Sequence, residues 1–180
     1  MPDRSILPVL DTPRLLLRAW EEADAPAMHE CFGDAETMRF WDTPPSRNLA
    51  ETLDRIQASL DVSPRWHAAF AVTIRATGRV VGMVNYHGRQ PTMRRLVVGW
   101  IVSPAWRRRG VTLEAMSALL DHCHSALNTH RVEAEIEPEN AASIGLAEKL
   151  GFQREGLMRE CMFVGGQPRS LYLYARLRGE

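Results

Sequence analysis

The stretch VVGWIVSPAWRRRGVT, residues 97–112, decides how this chain reads. An apolar run stops at Ser103-Pro104, three arginines and a glycine follow, and an amphipathic pattern begins. A strand that enters a helix through a glycine-containing turn leaves several backbone N–H groups without intrahelical partners. The helix dipole adds positive potential at the same spot, so the turn suits a phosphate ester. Arginine side chains there add charge-assisted hydrogen bonds. The plainer alternative is that the arginine triplet forms a solvated face or a weak nucleic-acid patch. Other nucleotide motifs do not compete. There is no GxxxxGK[ST], because Lys149 is the only lysine, and there is no GxGxxG.

The segments downstream continue the pattern. Leu113, Met116, Leu119, Leu120, Cys123 and Leu127 recur every three or four residues and predict one apolar helix stripe, with Glu114 and Asp121 off it. Asn128-Thr129 break that stripe. Val132, Ala134 and Ile136 then alternate with Glu133, Glu135 and Glu137, which predicts a strand with one buried and one wet face. Pro138 ends it. A second helix is expected over 141–150, with Gly151 in the left-handed position after it and Phe152 packed back on its last turn. The order is strand, anion-binding turn, helix, strand, helix.

At this point the chain resembles the GCN5-related N-acetyltransferases, GNAT for short, in the branch that includes ribosomal-protein N-terminal acetyltransferases. Their acetyl-CoA signature, [QR]-x-x-G-x-[GA], reads here as Arg107-Arg108-Arg109-Gly110-Val111-Thr112. Their second signature appears as Pro138-Glu139-Asn140-Ala141-Ala142-Ser143, closing with Glu148-Lys149-Leu150-Gly151-Phe152. The opening TPRLLLRAW and the later MRFWDTPP match as well. The resemblance implies a single α/β (α+β) domain over 12–178. Its central sheet is mixed but mostly antiparallel, splayed between the fourth and fifth strands and flanked by helices.

The chemistry implied by the resemblance is acetyl transfer from acetyl-CoA to a primary amine, by direct attack in a ternary complex. The acceptor is an amine on a protein N-terminus or on a small molecule. Residues Arg107, Arg108, Arg109, Gly110, Val111 and Thr112 would hold the pyrophosphate, with Gly110 allowing close backbone approach because it has no Cβ. Ile101 and Val102, on the fourth strand, would bind pantetheine through main-chain bonds. A backbone N–H of that strand can stabilise the developing oxyanion, worth roughly 3–4 kcal/mol in other acyl transfers. Asn140 and Ser143 would line the thiol end. No metal is expected.

Three positions depart from the family pattern. Thr112 stands where Gly or Ala is usual, and Val97 where many relatives carry a glutamate ahead of a Gly-aromatic pair, here Gly99-Trp100. Ala147 stands where many carry a tyrosine that protonates the departing thiolate. Ser143 is the nearest substitute for that acid, its alternative role being a helix-turn or cofactor contact. For the base, Glu137 and Glu135 are candidates ahead of His87 and Tyr86, and an α-amine with a pKa of about 8 could also use a water chain. His122 and His124 read as surface or rim residues. Cys161 has no evident His-Asp partner set, so a ping-pong route is rejected.

In this architecture specificity would come from the first helix–loop–helix, with Phe40, Trp41, Asp42 and Pro44-Pro45, and from the last hairpin, with Cys161, Met162 and Phe163. An aromatic pair with a carboxylate could receive a cationic amine. Packing is the alternative role of Phe40 and Trp41. Two other classes stay open: a non-catalytic acyl-CoA sensor, and a ribosome- or RNA-associated module using Arg94, Arg95 and Arg107 to Arg109.

Composition sets outer limits. A chain of 180 residues is long enough for one domain with a real core. Formal net charge is zero, which predicts no bulk attraction to nucleic acid or to an anionic membrane. Cys31, Cys123 and Cys161 are odd in number and lack metal-ligand spacing, favouring reduced thiols and a cytoplasmic location. No apolar run approaches membrane-spanning length, and the segment MPDRSILPVL is too short and polar for a secretory signal. The oligomeric state is left between monomer and homodimer. Elsewhere, strands are expected over 14–19, 67–74, 80–86, 96–102, 157–164 and 171–177, and helices over 24–32 and from Ser46 or Asn48 to Leu60. Turns are expected at Ala76-Thr77-Gly78 and Gly165-Gly166.

Overall fold

Eight strands form one sheet in the order β1-β2-β3-β4-β5-β6-β8-β7. The computed structural model describes residues 7–180, and the first part of the segment judged too short for a secretory signal, residues 1–6, lies outside the described residues. The strands are β1 (Leu10–Asp11), β2 (Leu15–Arg18), β3 (Ala68–Ile74), β4 (Val80–Gln90), β5 (Arg95–Val102), β6 (Arg131–Ile136), β7 (Gln153–Val164) and β8 (Gln167–Leu177). The helices are α1 (Ala25–Phe32), α2 (Ala35–Met38), α3 (Leu49–Leu60), α4 (Val111–Ser125) and α5 (Ala141–Lys149). Every pairing is antiparallel except β5 with β6, as expected for a mixed, mostly antiparallel sheet.

Local chemistry accounts for the element ends. Asn48 caps α3, its side chain accepting the Glu51 amide at 3.0 Å. After β3 the Ile74 carbonyl accepts from Thr77 and Gly78, with Gly78 left-handed at φ +69°. The Gly165-Gly166 turn has both residues at positive φ, as a two-residue hairpin of this hand requires. Gly151 ends α5 at φ +82°, and the Phe152 amide returns to the Ala147 carbonyl at 3.0 Å while its ring is buried.

Each face of the sheet carries its own core. One packs Leu15, Phe70, Tyr86, Val98, Met116, Leu120 and Phe152 between the sheet and helices α4 and α5. The other packs Met28, Phe32, Ile56, Ala71, Met83 and Ile101 between the sheet and the N-terminal helices. Fully burying each large apolar side chain contributes roughly 1.5–3 kcal/mol. The apolar stripe read from residues 113–127 faces the first core, with Met116, Leu119, Leu120 and Cys123 fully buried.

The splay lies where it was expected, between the strands labelled β5 and β6 here. They pair only at Arg95↔Arg131, Leu96↔Val132 and Val97↔Glu133. Beyond that rung β5 runs on to Val102 with no strand among the described residues on that edge, a free length of about 16 Å at ~3.3 Å per residue.

The structure corrects the alternation on β6. Glu133 was expected on a wet face, yet it is only 6% exposed. Arg131 Nε bonds its carboxylate at 2.6 Å and Arg95 lies at 4.0 Å, so the buried charge is compensated. Glu135 is exposed as expected. Two short elements, β1 and α2, were not anticipated, and β4 continues to Gln90 with Gly88 at φ +57°.

Candidate active site

The turn between β5 and α4 leaves a run of main-chain donors bare. From Arg108 to Leu113 no amide donates to a described residue, and the first helix bond is Glu114 N to the Gly110 carbonyl at 3.1 Å. Arg108 and Gly110 both take the left-handed conformation, at φ +59° and +74°. Gly110 is the N-cap residue of α4 and supplies no side-chain acceptor for those amides. A Cβ built on Gly110 would meet only Arg14 Nη2, at 3.3 Å, so the space in front of the turn is open to a ligand. The arrangement fits an anionic ester group.

Side chains lock the turn from two sides. Glu114 in the first turn of α4 receives Thr12 Oγ1 at 2.7 Å, the Arg14 amide at 2.9 Å and Arg14 Nε at 2.6 Å. Burial alone would raise the Glu114 carboxyl, but these hydrogen bonds outweigh it and hold it below the usual range. Arg14 also donates to the Arg109 carbonyl at 3.1 Å. Arg107 reaches Thr37 Oγ1 on α2 at 2.5 Å, and Arg109 lies over the Trp106 ring with 5.1 Å to its centroid. Of the residues read as pyrophosphate ligands, Val111 buries its side chain in the core and can offer only its amide. Thr112 is half-buried.

Across the splay, α5 faces β5. Trp100 Nε1 donates to Ser143 Oγ at 3.2 Å, which joins the free part of β5 to the first turn of α5. The hydroxyl proton of Ser143 is left available. Asn140 Oδ1 accepts the Ser143 amide at 3.2 Å, the capping role its type suggests, and its amide nitrogen makes no bond to a described residue. Ala147, the position of the family's usual tyrosine, is fully buried in the first core, so α5 presents no phenol to the cleft. Ile101 is buried in the second core and Val102 half-buried, so only their main chain can be offered at the open edge.

The far side of the cleft is stitched together at Arg169 on β8. Its Nη1 bonds Glu137 Oε1 at 2.5 Å and the Arg39 carbonyl at 2.9 Å, uniting β6, β8 and the end of α2. One carboxylate oxygen of Glu137 is therefore committed to Arg169. Trp41 packs edge-on to Phe32, with centroids 6.4 Å apart and planes at 75°, which anchors its loop. Arg39 covers the Phe40 ring at 5.0 Å, whereas Asp42 is exposed. Phe163 on β7 is 67% exposed. Sequence reading missed the ties Arg107–Thr37, Trp100–Ser143 and Arg169–Glu137, each joining residues too distant for any local pattern.

The arginines considered for RNA do not pool into one patch. Arg94 is bonded to the Asn128 carbonyl and side chain, and Arg95 faces Glu133 at the start of β5. Arg107, Arg108 and Arg109 lie beyond the other end of that strand.

Burial pushes three imidazoles, His67, His87 and His122, below the ordinary histidine value. Unfolding returns them to about 6.5, so the unfolded chain takes up protons that the fold refuses. This contribution to stability is complete above about pH 6.5 and is lost as pH falls below it. Calorimetry should show a falling Tm as pH drops from about 7 toward 5; a rising Tm over that window would contradict the assignment.

The comparisons agree with this geometry. The family model described as an acetyltransferase (GNAT) domain matches residues 14–153. The chain is 30% identical over 172 residues to the uncharacterized N-acetyltransferase p20 of Bacillus licheniformis, covering 95% of this chain and 97% of that one. It is 26% identical over 155 residues to the spermidine N(1)-acetyltransferase of Escherichia coli, with 86% and 81% covered. A match of 26% over 97 residues, 53% and 50% of the two chains, links it to the Escherichia coli ribosomal protein uS5 alanine N-acetyltransferase. Among solved structures, a GNAT-family acetyltransferase from Bacillus anthracis superposes with a TM-score of 0.87 at 26% identity, covering 96% of this chain and all of that one. The chain therefore belongs to the GNAT acetyltransferase family and is an N-acetyltransferase. Among the described residues no helix is long and apolar enough to cross a membrane.

Proposed function

We propose that this chain, through a domain spanning 12–178, transfers the acetyl group of acetyl-CoA to a cationic primary amine in a ternary complex. The observation that carries this reading is the coincidence of two unpartnered backbone surfaces. One is the amide run from Arg108 to Leu113; the other is the free edge of β5 from Val98 to Val102. The first suits a pyrophosphate and the second an extended pantetheine arm. Acetyl-CoA supplies an acyl thioester. A β5 amide at the open edge then serves the developing oxyanion.

Ser143 donates its hydroxyl proton to the departing thiolate. Its oxygen already accepts from Trp100, which fixes the rotamer and steadies the alkoxide as the proton leaves. Asn140 caps α5 with its oxygen and turns its amide donor to the thioester. Glu137 keeps the acceptor cleft in shape through Arg169. Asp42, Phe40, Trp41 and Phe163 border the acceptor. The free thiols of Cys31, Cys123 and Cys161 accord with a cytoplasmic site of action.

Asn140→Asp separates capping from catalysis. Aspartate caps as well as asparagine, so Tm should hold while turnover falls; unchanged turnover would leave Asn140 as a cap alone. The reading as a whole is tested by a thiol-release screen of acetyl-CoA against amines and short peptides. Release with at least one amine is expected. Tight acetyl-CoA binding with no release would instead describe an acyl-CoA sensor, and salt-dependent RNA binding that coenzyme A does not displace would describe an RNA module.

A further inference from the structure

Two imidazoles, His67 and His87, lie together at the fork of the splay. Their ring centroids are 6.4 Å apart with planes inclined by 40°. His87 pairs with Val97 across β4 and β5, and Val97 pairs with Glu133 on the last rung before β6 diverges. Directly opposed residues project to the same face of a sheet. Tyr86 turns the other way, into the core beneath α4, so His87 faces the side of the N-terminal helices. On that face β5 offers Val97, Gly99 and Ile101, none of which titrates, and at its start Arg95, which lies 4.0 Å from Glu133.

The charged groups around His87 are divided between occupied and free. From β6, Glu133 is bound by Arg131, with Arg95 near it. Glu135 from β6 and Asp42 from the loop after α2 make no ion pair or hydrogen bond to a described residue, yet their charges reach His87. The remaining titratable neighbour is His67, from the segment before β3. Neither ring nitrogen of His87 bonds to a described residue. Two positions back along β4, Asn85 is 8% exposed and its Oδ1 has no hydrogen-bond partner among the described residues. That oxygen overhangs Gly99, where a Cβ would come within 2.6 Å of it. A buried acceptor without a donor is destabilising, and an incoming N–H would relieve it.

We infer that His87 is the proton acceptor for the attacking amine, that Asp42 and Glu135 draw a cationic amine to the fork, and that Asn85 Oδ1 receives one of its N–H groups. This rests on the acetyl-transfer reading above. Burial keeps the His87 ring neutral near pH 7, with a lone pair free. The ammonium gives one proton to that lone pair, and the imidazolium passes it to solvent. The amine nitrogen then bonds to the carbonyl carbon and the C–S bond breaks. The nitrogen loses a second proton as the thiolate gains one from Ser143, which that second proton replenishes through water. Ammonium and thioester thus give amide, thiol and one proton to solvent.

The test compares wild type with His87→Gln, using spermidine and a tripeptide with a free N-terminus as probes. In wild type, kcat/KM should fall on the acid side with an apparent pKa below about 6.5. In His87→Gln the rate near pH 7 should drop about 100-fold, the limb below about 6.5 should give way to one that follows the amine's own protonation, and the deficit should narrow at high pH where free amine is plentiful. Acetyl-CoA affinity by calorimetry should be unchanged. As a second variant on exposed positions, Asp42→Asn with Glu135→Gln should raise the KM for both probes. Independently of turnover, the His87 ring resonance should titrate below about 6.5 and move when spermidine is added. A folded His87→Gln protein with the wild-type rate and acid limb would overturn this assignment and leave acetyl transfer intact. Absence of thiol release by wild type across the whole amine screen would overturn both.

Discussion

Ser143→Ala lowers kcat by about 100-fold and leaves the KM for acetyl-CoA where it was. Coenzyme A is a fairly good leaving group, since a thiol pKa of about 8.5 lets much of the charge depart unprotonated. A general acid here therefore works at the low end of the usual ~100- to 10,000-fold range. A loss in kcat without a change in KM marks an interaction made in the transition state. The variant should stay folded, because Ser143 is only half-buried and its amide, not its hydroxyl, receives the Asn140 cap. Steady-state kinetics decide it. Wild-type kcat would make water the proton source and reduce Ser143 to a partner of Trp100. An Ala147→Tyr rescue, which sequence alone suggests, is not expected to work, because the alanine has no exposed surface and core packing surrounds it.

Gly110→Val weakens acetyl-CoA by at least about tenfold, or 1.4 kcal/mol. Two effects combine. The residue sits at φ +74°, which costs a β-branched side chain on the order of 1–3 kcal/mol and disturbs the first turn of α4. Its side chain would also occupy the space before the bare amides. Gly110→Asn separates the two, because asparagine tolerates the left-handed conformation. If that variant keeps its Tm and still loses affinity by calorimetry, the blocked approach is responsible. If both variants bind acetyl-CoA as wild type does, the pyrophosphate lies elsewhere.

Much of the geometry from β5 to α4, where the cofactor is proposed to bind, was legible because it is local. The run from β5 through the arginine turn into α4 is continuous in sequence, and its glycine, arginines and apolar stripe each announce their geometry. Gly151-Phe152 ended α5 in the same way. The opposite side of the cleft, where the acceptor is proposed to bind, was not legible, since it is assembled from pieces far apart in the chain. Nothing near Arg169 signals that it will join Glu137 to the Arg39 carbonyl, and nothing in His67 alone signals that it will meet His87. Glu133 misled for a related reason. Alternation places it on a wet face, but its partner arginines, Arg131 two residues before it and Arg95 on the neighbouring strand, let it be buried. β1 and α2 span two and four residues, too few for any period to show.

The central claim is that one acetyl-CoA bridges the α4 turn and the free edge of β5. Amide NMR of labelled protein titrated with acetyl-CoA tests it most directly. The account predicts that the amides from Arg108 to Leu113 and those from Val98 to Val102 shift together, with a single saturating dissociation constant. Shifts confined to one of the two segments, or lying mainly outside both, would contradict it.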